Sequence, residues 1–179
     1  AGTPNIIGDI RAALVFLVKE AIGQEQLDER EEALNARAKA AWLGHPQLTL
    51  LGCDKSRRLP IFSFLVRDKQ GSPVHPQLIA RILSDLYGIQ TRGGCACAGP
   101  YGHRLLGIDQ EMSERLHADL VAGREMEKPG WVRLNFSALM NDETADFITA
   151  SLLDLLDRLD ELRPRYSCDP NTALFQAVA

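Results

Sequence analysis

The stretch PIFSFLVRD, residues 60–68, breaks with the helical spacing that fills the chain before it. Its β-branched and aromatic residues sit in a short run closed by Asp68. LTLLGC (48–53) has the same character, and the polar segment DKSRRL (54–59) separates the two. Two such runs across a polar turn read as an antiparallel strand pair.

Upstream of the pair the sequence is helical. Thr3-Pro4-Asn5 offers a capping side chain and a proline near a first turn. Ile6, Ile10, Leu14, Leu17 and Val18 then recur at helical spacing until Gly23. EQLDEREEALNARAKAAWLGH (25–45) is a second, charged helix with Leu27, Leu34, Ala38 and Trp42 on one face. Downstream, GSPVHP (71–76) reads as a loop, 76–88 as an amphipathic helix stopped by Gly88, and IQTR (89–92) as a short strand. A helix over 110–126 and a strand within PGWVRLNFSAL (129–139) follow. Asn141-Asp142-Glu143 then caps a helix over 143–162 that Pro164 ends, with Phe147, Leu152, Leu155, Leu156 and Leu159 facing inward. The tail 165–179 has no clear period. Helices alternating with short strands predict an α+β fold, a small mixed or antiparallel sheet of about four strands packed against helices.

The composition is that of a globular protein: 45% hydrophobic, 25% charged, with a formal net charge of -4. That charge argues against nucleic acid, which needs a concentrated basic face. Arg57-Arg58, the one basic doublet, reads as a solvated turn. No apolar run is long enough to span a bilayer, so no membrane partner is expected. Four cysteines in a chain able to build a core predict free thiols and a reducing cytoplasm.

The chemistry concentrates in TRGGCACAGPYGH (91–103). Cys95 and Cys97 lack the wider gap usual between paired zinc ligands, and Cys53, Cys168, His75, His103 and His117 stand unpaired, so no metal is expected. A disulfide between Cys95 and Cys97 would close a tight ring. The plainest reading is two small apolar residues in a glycine-rich turn. Taken whole, the loop offers more. An arginine presents a bidentate fork to a carboxylate or phosphate, glycines admit a ligand to the backbone, and a cysteine near a cation gains thiolate character.

These residues resemble a known family. AGTPN (1–5) ahead of an amphipathic helix looks like the segment after the cofactor-lysine loop of class V aminotransferases and cysteine desulfurases. The desulfurase loop pattern R-x-G-x-x-C-A-x-P is met by Arg92, Gly94, Cys97, Ala98 and Pro100. VRLNFSALMNDETADFI (132–148) resembles the family's later strand, its serine-containing turn and its acidic helix start. The resemblance implies the C-terminal part of a fold-type I enzyme: residues 1–24 as the end of a large domain and a linker helix, 25–179 as the small α+β domain. It implies pyridoxal 5'-phosphate in the full-length parent, which would be a homodimer acting on an amino acid. Arg133 would bind the substrate carboxylate and Arg92 would assist. Gly2 and Thr3 would donate to the cofactor phosphate of the partner subunit, and Cys97 would be the desulfurase persulfide cysteine. Without the resemblance, Arg133 reads as a surface ion pair and Thr3 as a helix cap.

Two departures stand out. Cys95 and Ala96 occupy positions where desulfurases commonly carry histidines, and the connection from Cys97 to Arg133 is longer than usual, so transamination and sulfur chemistry both remain open. Lys19, Lys39, Lys55, Lys69 and Lys128 all lack the Ser/His-rich surroundings of the family's lysine loop, which the resemblance puts upstream of Ala1. The chain by itself is therefore expected to bind no pyridoxal phosphate covalently and to be inactive. The alternative is a free-standing binding or scaffold module with a redox-active Cys95/Cys97 pair.

Overall fold

The computed structural model describes residues 2–52, 57–94 and 99–178. The chain opens with α1 (Ile6–Ile22), whose first turn is closed by Asn5 Oδ1 accepting from the Gly8 amide at 3.0 Å. Gly23, at φ 87°, ends α1 and starts α2 (Gln24–Trp42). Three strands follow, β1 (Leu48–Leu50), β2 (Ile61–Arg67) and β3 (Pro73–Val74), then α3 (Pro76–Tyr87), β4 (Arg92–Gly94), α4 (Gly99–Leu106), α5 (Gln110–Val121) and β5 (Trp131–Asn135). α6 (Asp142–Asp157), the short α7 (Leu159–Leu162), β6 (Tyr166–Asp169) and β7 (Leu174–Ala177) complete it.

The main sheet runs β1-β2-β5-β4, with every pairing antiparallel. β3 pairs with β2 beyond the end of β5, since Val66 faces Leu48 across one edge and Val74 across the other. This is the expected α+β architecture, with β2 inside the sheet and β1 at its edge.

Alternation along β2 explains the layering. Phe62, Phe64 and Val66 are buried, as are Val132 and Leu134 beside them in β5. That face carries α2, α3 and α6, which contribute Leu34, Trp42, Ile79, Ile82, Leu83, Leu152, Leu155 and Leu156 to a single core. Trp42 sits at its heart. Its ring lies 5.2 Å from Phe62, edge to face, and 5.8 Å from Phe136. Its Nε1–H donates to the Thr149 carbonyl at 3.2 Å, so burial leaves no donor unpaired. On the rim, Arg30 bonds Asp142 and Arg37 pairs with Asp142 and Asp146, tying α2 to the start of α6. Tyr87 donates to Asp154 at 2.6 Å across α3 and α6. Burial and that carboxylate push the phenol up to about 12.

Several sequence expectations give way to tertiary structure. The strand expected at 89–92 forms at Arg92–Gly94 instead, because Ile89 is committed to ending α3. Gly88 turns left-handed at φ 67°, and the Ile89 amide bonds back to the Leu83 carbonyl. The loop at 71–76 contributes β3. The helix expected over 110–126 stops at Val121, where Gly123 turns at φ 79° and a single 3-10 turn, Glu125–Glu127, follows. The last long helix breaks at Arg158 into α6 and α7. Phe147, expected inward, is half exposed, because it lies roughly 100–160° around the helix from Ala145, Ile148 and Leu152, which form the buried stripe. α4 lies where only a loop was expected. The unpatterned tail forms a β-hairpin, its turn held by Asp169, whose carboxylate accepts from the Asn171 amide and the Thr172 hydroxyl.

α1 stands outside the layering, as α5 does. It has the expected apolar spacing but contributes no buried residue; Ile7, Val15, Phe16 and Leu17 are each more than 60% exposed.

Candidate active site

Arg133 lies in β5 between Val132 and Leu134, both turned into the core, so its side chain emerges on the opposite face of the sheet. Register then decides its company. In β4, Arg92 stands directly opposite Arg133, and in β2 Ser63 stands opposite it on the other side. Directly opposed residues share a face, so Ser63, Arg133 and Arg92 form a row across the open side of the sheet. Gly94 pairs with Trp131 two residues further along that face. Arg92 and Gly94, at the start of the glycine-cysteine loop, thus share the sheet face of Arg133.

Both arginines are exposed, and neither has a hydrogen-bond or ion-pair partner among the described residues. Like charges directly opposite one another are unfavourable in a sheet unless an anion joins them. Two guanidinium forks on neighbouring strands, with a hydroxyl beside them, suit a carboxylate or a phosphate.

The strand pair stands where it does because of two glycines. A Cβ at Gly93 would lie 2.5 Å from the Pro76 carbonyl oxygen, and one at Gly130 would lie 2.3 Å from the Gly94 carbonyl carbon. Backbone is therefore stacked on backbone from the start of α3 through β4 to the approach to β5. Gly130 was not among the residues singled out from sequence. Beside Arg92 the stacking leaves a notch of about 270 Å³, lined by His75, Gln77, Gly93, Gly94, Glu125 and Lys128. Lys128 pairs with Glu125 there at 3.4 Å. His75 was considered from sequence only as a metal ligand. Instead it caps α3, with Nδ1 accepting from the Gln77 amide.

The remaining sequence candidates divide. Cys95 and Cys97, with the persulfide and redox readings that rest on them, lie outside the described residues. Gly2 and Thr3 are exposed ahead of α1, away from the strand row in sequence; Asn5, not Thr3, supplies the cap. Among the described residues no cluster of three or more His, Cys, Asp or Glu side chains could hold a metal ion. The described lysines do not fit the role of carrying pyridoxal phosphate. Lys19 is exposed on α1, Lys39 lies on charged α2, Lys69 bonds the Asp157 carbonyl and pairs with Asp160, and Lys128 pairs with Glu125. Lys55 lies outside the described residues. No described helix is long and apolar enough to cross a membrane.

No curated protein matches the chain closely enough to count as a relative. The family model for aminotransferase class-V matches residues 1–141, a span that takes in both arginines, the glycine-cysteine loop and all five strands of the main sheet. With most of its length matched by that model, the chain belongs to the class V aminotransferase family.

Proposed function

We propose that this chain is the C-terminal portion of a class V enzyme acting on an amino acid, and that Arg133, assisted by Arg92, binds the substrate's carboxylate. The row of two guanidiniums, unpartnered among the described residues, and Ser63 on the open sheet face carries this reading. A carboxylate between the forks relieves their mutual repulsion and is held in a fixed orientation by paired N–H donors. Class V aminotransferases are in general pyridoxal-phosphate enzymes, and the bound cofactor supplies an electron sink to the amino acid. The described residues supply no fitting lysine, so in this reading the cofactor lysine and the acid for its ring nitrogen come from other polypeptide. Gly2 and Thr3 would add hydrogen-bond donors at the cofactor phosphate of a partner subunit, in a homodimer working in the cytoplasm. The exposed apolar side chains of α1 support a division into a linker segment, 1–24, and a small domain, 25–179. In this division α1 beds against the larger domain, and the chain alone is inactive. The reaction is transamination, or desulfuration of cysteine or selenocysteine with Cys97 accepting the chalcogen.

In the complete enzyme, Arg133→Gln is expected to lower kcat/KM for the amino acid by about 10- to 100-fold, the worth of charge-assisted hydrogen bonds. An unchanged value would remove the carboxylate assignment. Cys97→Ala separates the two reactions. Loss of alanine release from cysteine marks a desulfurase; full activity toward a keto acid marks a transaminase. The division of labour has its own check. The chain by itself, treated with pyridoxal phosphate and borohydride, is expected to show no stoichiometric mass gain at any single lysine.

A further inference from the structure

Arg92 and Arg133 face each other but are not placed alike. Arg133 sits on an inner strand, with Ser63 on one side and Arg92 on the other. Arg92 sits on the edge strand β4. Against that strand lies the notch of about 270 Å³, which Arg92 lines and Arg133 does not. One guanidinium fork already matches one carboxylate through two parallel hydrogen bonds. A second fork with a cavity of its own is therefore open to a second acid group.

The walls of the notch suit such a group. Gly93 and Gly94 bring backbone to it and no side chain. Gln77 reaches it from the first turn of α3, and its side-chain nitrogen lies 3.7 Å from where a Cβ on Gly94 would stand. That half-buried side chain has no hydrogen-bond partner among the described residues. Glu125, the one acid among the described lining residues, is paired with Lys128. The notch thus holds two unused donors, the Arg92 guanidinium and the Gln77 amide, and its carboxylate is already matched. Adjacent strands lie about 4.8 Å apart, a spacing that a short carbon chain bridges.

The geometry points to a dicarboxylic amino acid as the substrate. This rests on the reading above, in which Arg133 binds the α-carboxylate; Arg92 and Gln77 then bind the side-chain carboxylate in the notch. Two negative groups match the two opposed positive charges one for one, which a single carboxylate does not. A side chain ending in a carboxylate has no sulfur to release, so of the two reactions this substrate fits transamination.

Aspartate and glutamate, with their amides asparagine and glutamine, are the probes. Each is titrated into the complete enzyme by calorimetry, with kcat/KM measured alongside. At least one acid is expected to bind about tenfold or more tighter than its own amide, the worth of charge-assisted hydrogen bonds. Arg92→Gln is expected to erase that difference. Gln77→Leu is expected to narrow it several-fold. Arg133→Gln is expected to weaken acid and amide together and to preserve the difference. If neither acid is preferred while Arg133→Gln still weakens all four ligands, the dicarboxylic assignment falls and the α-carboxylate assignment stands. A preference that survives Arg92→Gln also overturns it. If Arg133→Gln leaves every ligand unchanged, the α-carboxylate assignment fails and this inference fails with it.

Discussion

Two guanidiniums facing each other across a strand pair, with no acid between them among the described residues, are a cost that a ligand removes. Stability and activity should therefore respond oppositely at Arg133. In the chain alone, Arg133→Gln takes away one of two opposed like charges and is expected to leave stability unchanged or raise it by up to about 1 kcal/mol in urea unfolding. The same change weakens substrate use in the complete enzyme. A marked loss of stability would mean that the side chain serves the fold. His75 makes a pH prediction. Its folded value is depressed by burial below the ordinary 6.5 at which the unfolded chain titrates. Between the two values the unfolded state binds more protons, so acid draws the chain toward unfolding. Stability is thus full above 6.5 and declines as pH falls through it, levelling once the folded imidazole also protonates. The urea midpoint followed against pH checks this, and His75→Asn is expected to flatten that part of the curve.

At the scale of elements, α1 and α2 show what a hydrophobic pattern does and does not say. Both carry apolar residues at helical spacing. In α2 the stripe meets β2 and α6, and Leu34, Ala38 and Trp42 vanish from the surface. In α1 the large side chains stay in solvent. A contiguous apolar surface of this kind marks an interaction site. Phe16, about 72% exposed, is the sharpest probe. Phe16→Glu is expected to change the stability of the chain by less than about 0.5 kcal/mol, as for surface positions in general. It should also reduce concentration-dependent association in sedimentation velocity. A large loss of stability would show that α1 packs within its own chain.

At the scale of the molecule, the C-terminal hairpin lies beyond the family match, yet it closes one end of the structure. β7 packs on α3, Phe175 faces His75, and Cys168 Sγ lies 3.2 Å from Met126 Sδ, reaching the turn that precedes β5. Burial, with Asp169 beside it, pushes the Cys168 thiol up, away from the thiolate form. Removing residues 166–179 is expected to cost about 1–3 kcal/mol. At roughly 2–4 °C per kcal/mol for a chain of this size, the melting midpoint falls by several degrees. The main sheet should survive, because its core of Trp42, Phe62, Phe64 and Leu155 is built without the hairpin. Loss of all cooperative unfolding would make the hairpin integral to that core.

The amino-acid order alone settled what depends on near neighbours. The β-branched and aromatic run in PIFSFLVRD made a strand, Asn5, Asn141 and Gly88 bounded helices through their own capping chemistry, and the motif around Arg92 and Arg133 announced the family. It could not settle register, because pairing depends on which backbones approach, and residues 92 and 133 are distant in sequence. Only the folded sheet set Arg92 opposite Arg133, through contacts that Gly93 and Gly130 permit by lacking a side chain. Burial was likewise a tertiary decision. The same apolar periodicity is core in α2 and surface in α1, since a helix loses its apolar face from solvent only where another element covers it.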